Sequence, residues 1–129
     1  MKKTTNDWLE SAEGDLRLIR MIIDQEDLTH LSAFHAQQSV EKSFKALIEE
    51  YDLGFIKTHS LETLFGKVRK FIHMEMNPDL LTLLDQLYID ARYPGELGLL
   101  PNGKPTTEEA KEFYSLAVQL NEAVKSTCK

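Results

Sequence analysis

Cysteine is nearly absent from this chain: Cys128, next to the last residue, is the only thiol among 129 residues. No intrachain disulfide framework can form, and a reducing cytoplasm is the expected location. Long apolar runs are missing too, since none approaches the roughly 20 residues a membrane-spanning helix needs. The opening Met1-Lys2-Lys3-Thr4-Thr5-Asn6-Asp7 leads directly into an amphipathic pattern without a signal-peptide apolar segment, so a soluble, unexported protein is expected. There is no Gly-rich phosphate loop, no His-Glu-x-x-His, no cysteine pair and no Gly-x-Ser-x-Gly, which removes support for the well-marked enzyme classes. His30 and His35 stand five residues apart, off a common helical face and without further ligands nearby, so neither a metal site nor a cofactor is expected.

What remains is a charged, strongly periodic chain. Its length suits one domain, residues 1–129, able to bury roughly two thirds of its unfolded surface without a staple. The net charge of −6 argues against broad nonspecific nucleic-acid binding, which is driven by phosphate neutralisation. The charge is uneven, however: residues 1–53 carry −5, residues 54–74 carry +3 and residues 75–129 carry −4. The basic middle segment, with His59 and His73, could meet phosphate or an acidic partner.

Apolar residues recur at helical spacing throughout, and strand signals are scarce. Trp8, Ala12, Leu16, Ile19 and Ile23 predict a first helix from about Asn6 to Gln25, capped by Asn6 or Thr5. A second should run from about Ser32 to Asp52 and end at Gly54. Thr58 or Ser60 can cap a third that carries Leu61, Leu64, Phe65 and Val68, and Asn77-Pro78 is a start signal for a fourth, apolar at Leu80, Leu81, Leu84, Leu87 and Tyr88. Residues 93 to 105 hold three of the four prolines and three of the six glycines, so they read as a long loop. Thr106 with Glu109 forms a capping-box pattern, after which Phe113, Leu116, Ala117, Leu120 and Val124 predict a last helix. Together these elements imply an all-α protein, an antiparallel up-and-down bundle of four to five helices.

Three stretches are candidates for chemistry. On the second helix, Ala33, Ala36, Val40, Phe44, Leu47 and Tyr51 fall on one side, and Gln38, Glu41, Lys42, Lys45 and Glu49 fall on the other. Glu41 and Lys45 are an i,i+4 pair in the favourable order. By spacing alone that polar side is a solvated face with helix-supporting pairs, or else a surface for a partner. At Lys57-Thr58-His59-Ser60-Leu61 a basic residue, a cap and an imidazole meet a predicted helix N-terminus, where free N–H groups favour anions. The alternative is structural, with the imidazole bonded to a neighbouring helix and fixing the turn. Asp90-Ala91-Arg92-Tyr93-Pro94 closes the fourth helix, where Arg92 also suits the helix dipole.

Trp8 with Ala12 and Asp15-Leu16, Phe34-His35-Ala36-Gln37-Gln38, Glu41-Lys42 with Lys45-Ala46-Leu47, Lys57-Thr58-His59-Ser60-Leu61, and Asp90-Ala91-Arg92-Tyr93-Pro94 together resemble the HEPN domain family, over most of the chain. The resemblance implies an antiparallel helical bundle and a homodimer. It also implies pairing with a small minimal nucleotidyltransferase protein, toxin-antitoxin-like, and binding of a nucleotide or RNA. On that reading Gln38, Glu41, Lys42 and Lys45 supply hydrogen bonds and charge, and His59 and Arg92 add anion contacts. Many members of the family that act as metal-independent RNases use an arginine followed at short spacing by a histidine near the start of the last long helix. This chain departs from that pattern: no histidine follows Arg92, and Arg69 with His73 lies too early. An atypical RNase would have to use Arg92 for the phosphate, with His59 or Tyr93 as the proton-transfer group. A purely structural dimeric interaction protein is the third alternative.

Overall fold

A computed structural model describes the backbone of residues 1–92 and 103–129, with side chains up to residue 90 and from residue 103 onward. Five α-helices account for most of it: α1 (Lys3–Ile22), α2 (Thr29–Glu50), α3 (Leu61–Val68), α4 (Pro78–Arg92) and α5 (Thr107–Thr127). Single 3-10 turns, Glu26–Leu28 and Arg69–Phe71, precede α2 and follow α3. There is no strand among the described residues, and no described helix is long and apolar enough to cross a membrane. The all-α bundle read from the sequence is the fold of the protein.

The helix directions follow from the side-chain pairs that join them. Lys2 and Thr5, at the start of α1, bond to Glu50 at the end of α2, and Arg20 and Glu13 of α1 meet Tyr114 and Lys125 of α5. α1 is therefore antiparallel to both. Glu62 with Thr82, and the Leu61 and Glu62 amides with Asp85, tie the start of α3 to α4. α2 packs against each of the other four helices, and so it lies at the centre. One apolar cluster runs through all five, with Phe44, Leu47, Leu61, Leu84 and Phe113 among its fully enclosed members.

Local chemistry sets most helix ends. Ser60 caps α3, its Oγ accepting from the Thr63 N–H at 3.3 Å, and Asn77 Oδ1 accepts from the Asp79 N–H at 2.9 Å just before Pro78. The Thr106–Glu109 capping box forms in both directions, at 3.0 and 2.9 Å. α1 stops at Ile22 and α2 starts at Thr29, each three residues earlier than expected, and two further ends differ in how they are made. α1 begins at Lys3 without a side-chain cap, because Thr5 is buried and its hydroxyl is given to Glu50. The end of α2 turns first at Asp52, which has φ 51°, ahead of Gly54 at φ 93°. Asp52 tolerates that left-handed position, and Lys2 holds its carboxylate from α1.

Candidate functional site

The polar side of α2 is not a solvated face. Glu41 is 5 % exposed and Gln37 is fully buried, and Gln38, Lys42, Lys45 and Glu49 are only partly exposed, because other helices crowd α2 from four directions. The side chains satisfy one another instead, as a buried carboxylate must. Glu41 accepts from the Lys45 ammonium at 2.9 Å, from Gln37 Nε2 at 3.3 Å, and from His59 Nδ1 at 3.1 Å to Oε1 and 3.2 Å to Oε2. Gln37 Nε2 also donates to the His59 carbonyl at 3.0 Å, and Gln38 Nε2 donates to Gln37 Oε1 at 2.7 Å.

Lys42 belongs to a second cluster. Its ammonium reaches Asp15 of α1 at 2.8 Å, and His35 Nδ1 meets the other oxygen of the same carboxylate at 3.0 Å. Each cluster thus has a carboxylate bridging one lysine and one histidine. An ionised carboxylate can only accept, so the histidine Nδ1–H is the donor in both contacts. The rings of His59, Tyr88, Phe34 and His35 form a chain with successive centroids 5.7, 5.5 and 5.3 Å apart. That chain joins the two clusters along α2 and α4.

The helix N-terminus at Lys57–Leu61 offers no free amide. The N–H groups of Leu61 and Glu62 bond to Asp85 of α4 at 2.9 and 3.3 Å, that of Thr63 to Ser60 Oγ, and that of Ser60 to Thr58 Oγ1 at 3.1 Å. Asp85 takes the place the sequence reading offered to a phosphate. Burial pushes its carboxyl above the usual carboxylate range, against the pull of the amides it accepts. His59 has the structural contact to a neighbouring helix, yet its side chain remains 57 % exposed.

That exposed imidazole stands on the rim of a cleft of about 420 Å³, which Trp8, Lys45, Ile48, Phe55 and Lys57 also line. The Lys45 ammonium lies 5.5 Å from the centre of the Trp8 ring, and Phe55 is 91 % exposed. Cations and aromatic faces therefore share one opening, which Glu49 and Asp52 also line. A planar aromatic group can stack on such a surface while an attached anion meets the lysines.

Of the residues singled out from sequence, Gln38, Glu41, Lys45 and His59 come together, and Lys42 is diverted to Asp15. Arg92 ends the helix one turn beyond Tyr88; its side chain, and Tyr93, lie outside the described residues. Leu97, Leu99 and Leu100 lie outside them as well. His73 is exposed beyond the 3-10 turn. Sequence reasoning missed Gln37, whose i,i+4 relation to Glu41 was a usable signal. It also missed Asp85 and the site roles of Asp15 and Trp8, which depend on helix neighbours that no local pattern announces. No group of three acidic, histidine or cysteine side chains stands ready for a metal among the described residues.

Comparison with known proteins agrees with this geometry. The HEPN domain profile matches residues 5–127. The chain belongs to the HEPN domain family. Among solved structures, this HEPN protein is similar to an archaeal HEPN homologue, with 28 % identity over 100 % of both chains and a TM-score of 0.71. It is also similar to a protein from Thermus thermophilus, with 26 % identity over 98 % of this chain and 99 % of that one, and a TM-score of 0.76. No curated protein matches it.

Proposed function

We propose that this HEPN protein is a cytoplasmic, homodimeric binding module of one domain that holds a nucleotide or an RNA phosphate and acts with a minimal nucleotidyltransferase in a toxin-antitoxin-like pair. The cleft carries this reading: Lys45 and Lys57 supply charge, and His59 a polar ring edge, beside the faces of Trp8 and Phe55, a combination that suits a phosphate joined to a base. Arg92, at the end of α4, is the further cation the proposal assigns to the site. Gln38 and Glu41 act from beneath by holding Lys45 and His59 in place.

Trp8 is the only tryptophan, so its fluorescence reports on the cleft directly. ATP and a short single-stranded RNA are the probes, added at low salt. The expected result is saturable quenching that weakens as salt rises and weakens at least several-fold in Lys45→Ala, Lys57→Ala and Arg92→Ala. Absence of binding by either probe at low salt, or affinities unchanged in all three variants, would sink the assignment. The partner is tested by whether an adjacent reading frame encodes a small nucleotidyltransferase and whether its product co-purifies with this protein; absence of either would defeat the two-component reading.

The pairing of His59 with Glu41 favours a second reading, an atypical metal-independent RNase. In it Arg92 stabilises the phosphate and His59, oriented by its Nδ1 contact to Glu41, or else Tyr93, is the proton-transfer group. Robust cleavage of single-stranded RNA in EDTA, abolished by His59→Ala or Arg92→Ala but untouched by His73→Ala, would establish the enzyme. The binding-module reading expects little or no cleavage.

A further inference from the structure

A second opening, of about 250 Å³, lies between α1 and α5 and shares no lining residue with the Trp8 cleft. Its walls are two helical stripes, Glu13, Leu16, Arg17 and Arg20 on α1 and Val118, Asn121, Glu122 and Lys125 on α5. Asn121 is the anomaly. The other buried positions of α5, Ala110, Phe113, Leu116, Ala117, Leu120 and Val124, are all apolar, yet Asn121 is 2 % exposed among them. Its Nδ2 has no hydrogen-bond partner among the described residues. A buried amide donor left unmade is costly where leucine would pack, and an acceptor entering from the opening would remove that cost.

The charges around it indicate what that acceptor is. Glu13 is neutralised by its ion pair with Lys125. Arg20 spends one Nη1–H on Tyr114 Oη at 3.1 Å and keeps its other donors, and Arg17 makes no hydrogen bond or ion pair among the described residues. Two guanidinium groups thus stand against the single carboxylate of Glu122, which leaves the opening net positive. The guanidinium fork matches the paired oxygens of a carboxylate or phosphate.

We propose that the α1–α5 opening is a separate binding site for a small oxyanion, a carboxylate or phosphate group on a compact molecule, with Arg17 and Arg20 as its cations and Asn121 as its floor. At about 250 Å³ it is too small for extended RNA, and it is independent of the function proposed for the first cleft.

The test is NMR of ¹⁵N-labelled protein, with inorganic phosphate and acetate titrated at constant ionic strength set by chloride. Saturable shifts of the Asn121 side-chain amide and the Arg17 Nε–H are expected with at least one of the two anions, and which one responds identifies the group. The double variant Arg17→Gln/Arg20→Gln, altered only at exposed positions, should bind at least ten-fold more weakly. Asn121→Leu should bind at least five-fold more weakly while melting no lower than the wild type. The proposal fails if chloride alone reproduces the shifts, if they never saturate, if they are confined to Trp8, Lys45 and His59, or if the double variant binds as tightly as the wild type.

Discussion

Glu41 illustrates what burial does to a single side chain. In an exposed helix its pairing with Lys45 would contribute a few tenths of a kcal/mol. Here the carboxylate is enclosed and also holds Gln37 and His59, so removing it strands several donors at once. Glu41→Ala should cost about 3 kcal/mol, against under about 0.5 kcal/mol for Glu122→Ala on an exposed surface, as urea melts would measure. Phe44→Ala, which empties a fully buried ring position, should cost about 3–5 kcal/mol. Lys42→Ala should cost more than an exposed lysine does, because it leaves Asp15, only 11 % exposed, with His35 alone. His30 supplies a pH dependence. Burial first, and then the charge of Lys104, hold its imidazole below the ordinary 6.5, with Asp27 opposing them. The unfolded chain therefore takes up the proton first as pH falls. Stability from this group is full above pH 6.5 and is lost as pH drops from there through the folded value. The urea midpoint should fall between about pH 7.5 and about pH 5.5, and fall less in His30→Gln; an equal fall in both proteins would show that other groups account for it.

At the scale of elements, α3 depends on its neighbours. With eight residues it is shorter than a helix that is stable alone, and its exposed N–H groups need partners. Ser60 provides one from the sequence beside it, and Asp85 provides two from a different helix. Asp85→Ala should cost about 1–2 kcal/mol, and hydrogen exchange at Leu61 and Glu62 should rise selectively. Exchange that rises equally across α4 would mean that Asp85 supports its own helix instead of capping α3. A similar arrangement holds the start of α1, where Glu50, at the C-terminus of α2, receives the Lys2 N–H and the Thr5 hydroxyl. These two bonds, the backbone one foremost, hold its carboxyl below the usual range.

For the whole molecule, the central position of α2 buries most of that helix and leaves α1 and α4 with more surface toward solvent. Leu83 and Ile89 on α4 and Leu18 and Met21 on α1 remain exposed, with Met21 at 78 %. Apolar surface of this kind fits the homodimer proposed above. Light scattering after size exclusion, at tens of micromolar, should return twice the 14.8 kDa chain mass, and a 14.8 kDa species would defeat the dimer.

The helices themselves were legible in the sequence, because amphipathic spacing and end signals such as Ser60, Asn77-Pro78 and Thr106–Glu109 act within a few residues along the chain. The buried positions of α5 could likewise be read from their period, Asn121 excepted. The role of the polar stripe on α2 could not. Periodicity separates apolar from polar sides but is blind to how many helices surround the one that carries them, and here four do. Tertiary packing alone turned Glu41 from a surface charge into the hub of a buried cluster and sent Lys42 to Asp15, 27 residues away. It also filled the α3 N-terminus with Asp85, 24 residues beyond Leu61. The Glu41–His59, Lys42–Asp15 and Leu61–Asp85 contacts each join residues that share no helix, and a local pattern holds no information about which helices will become neighbours.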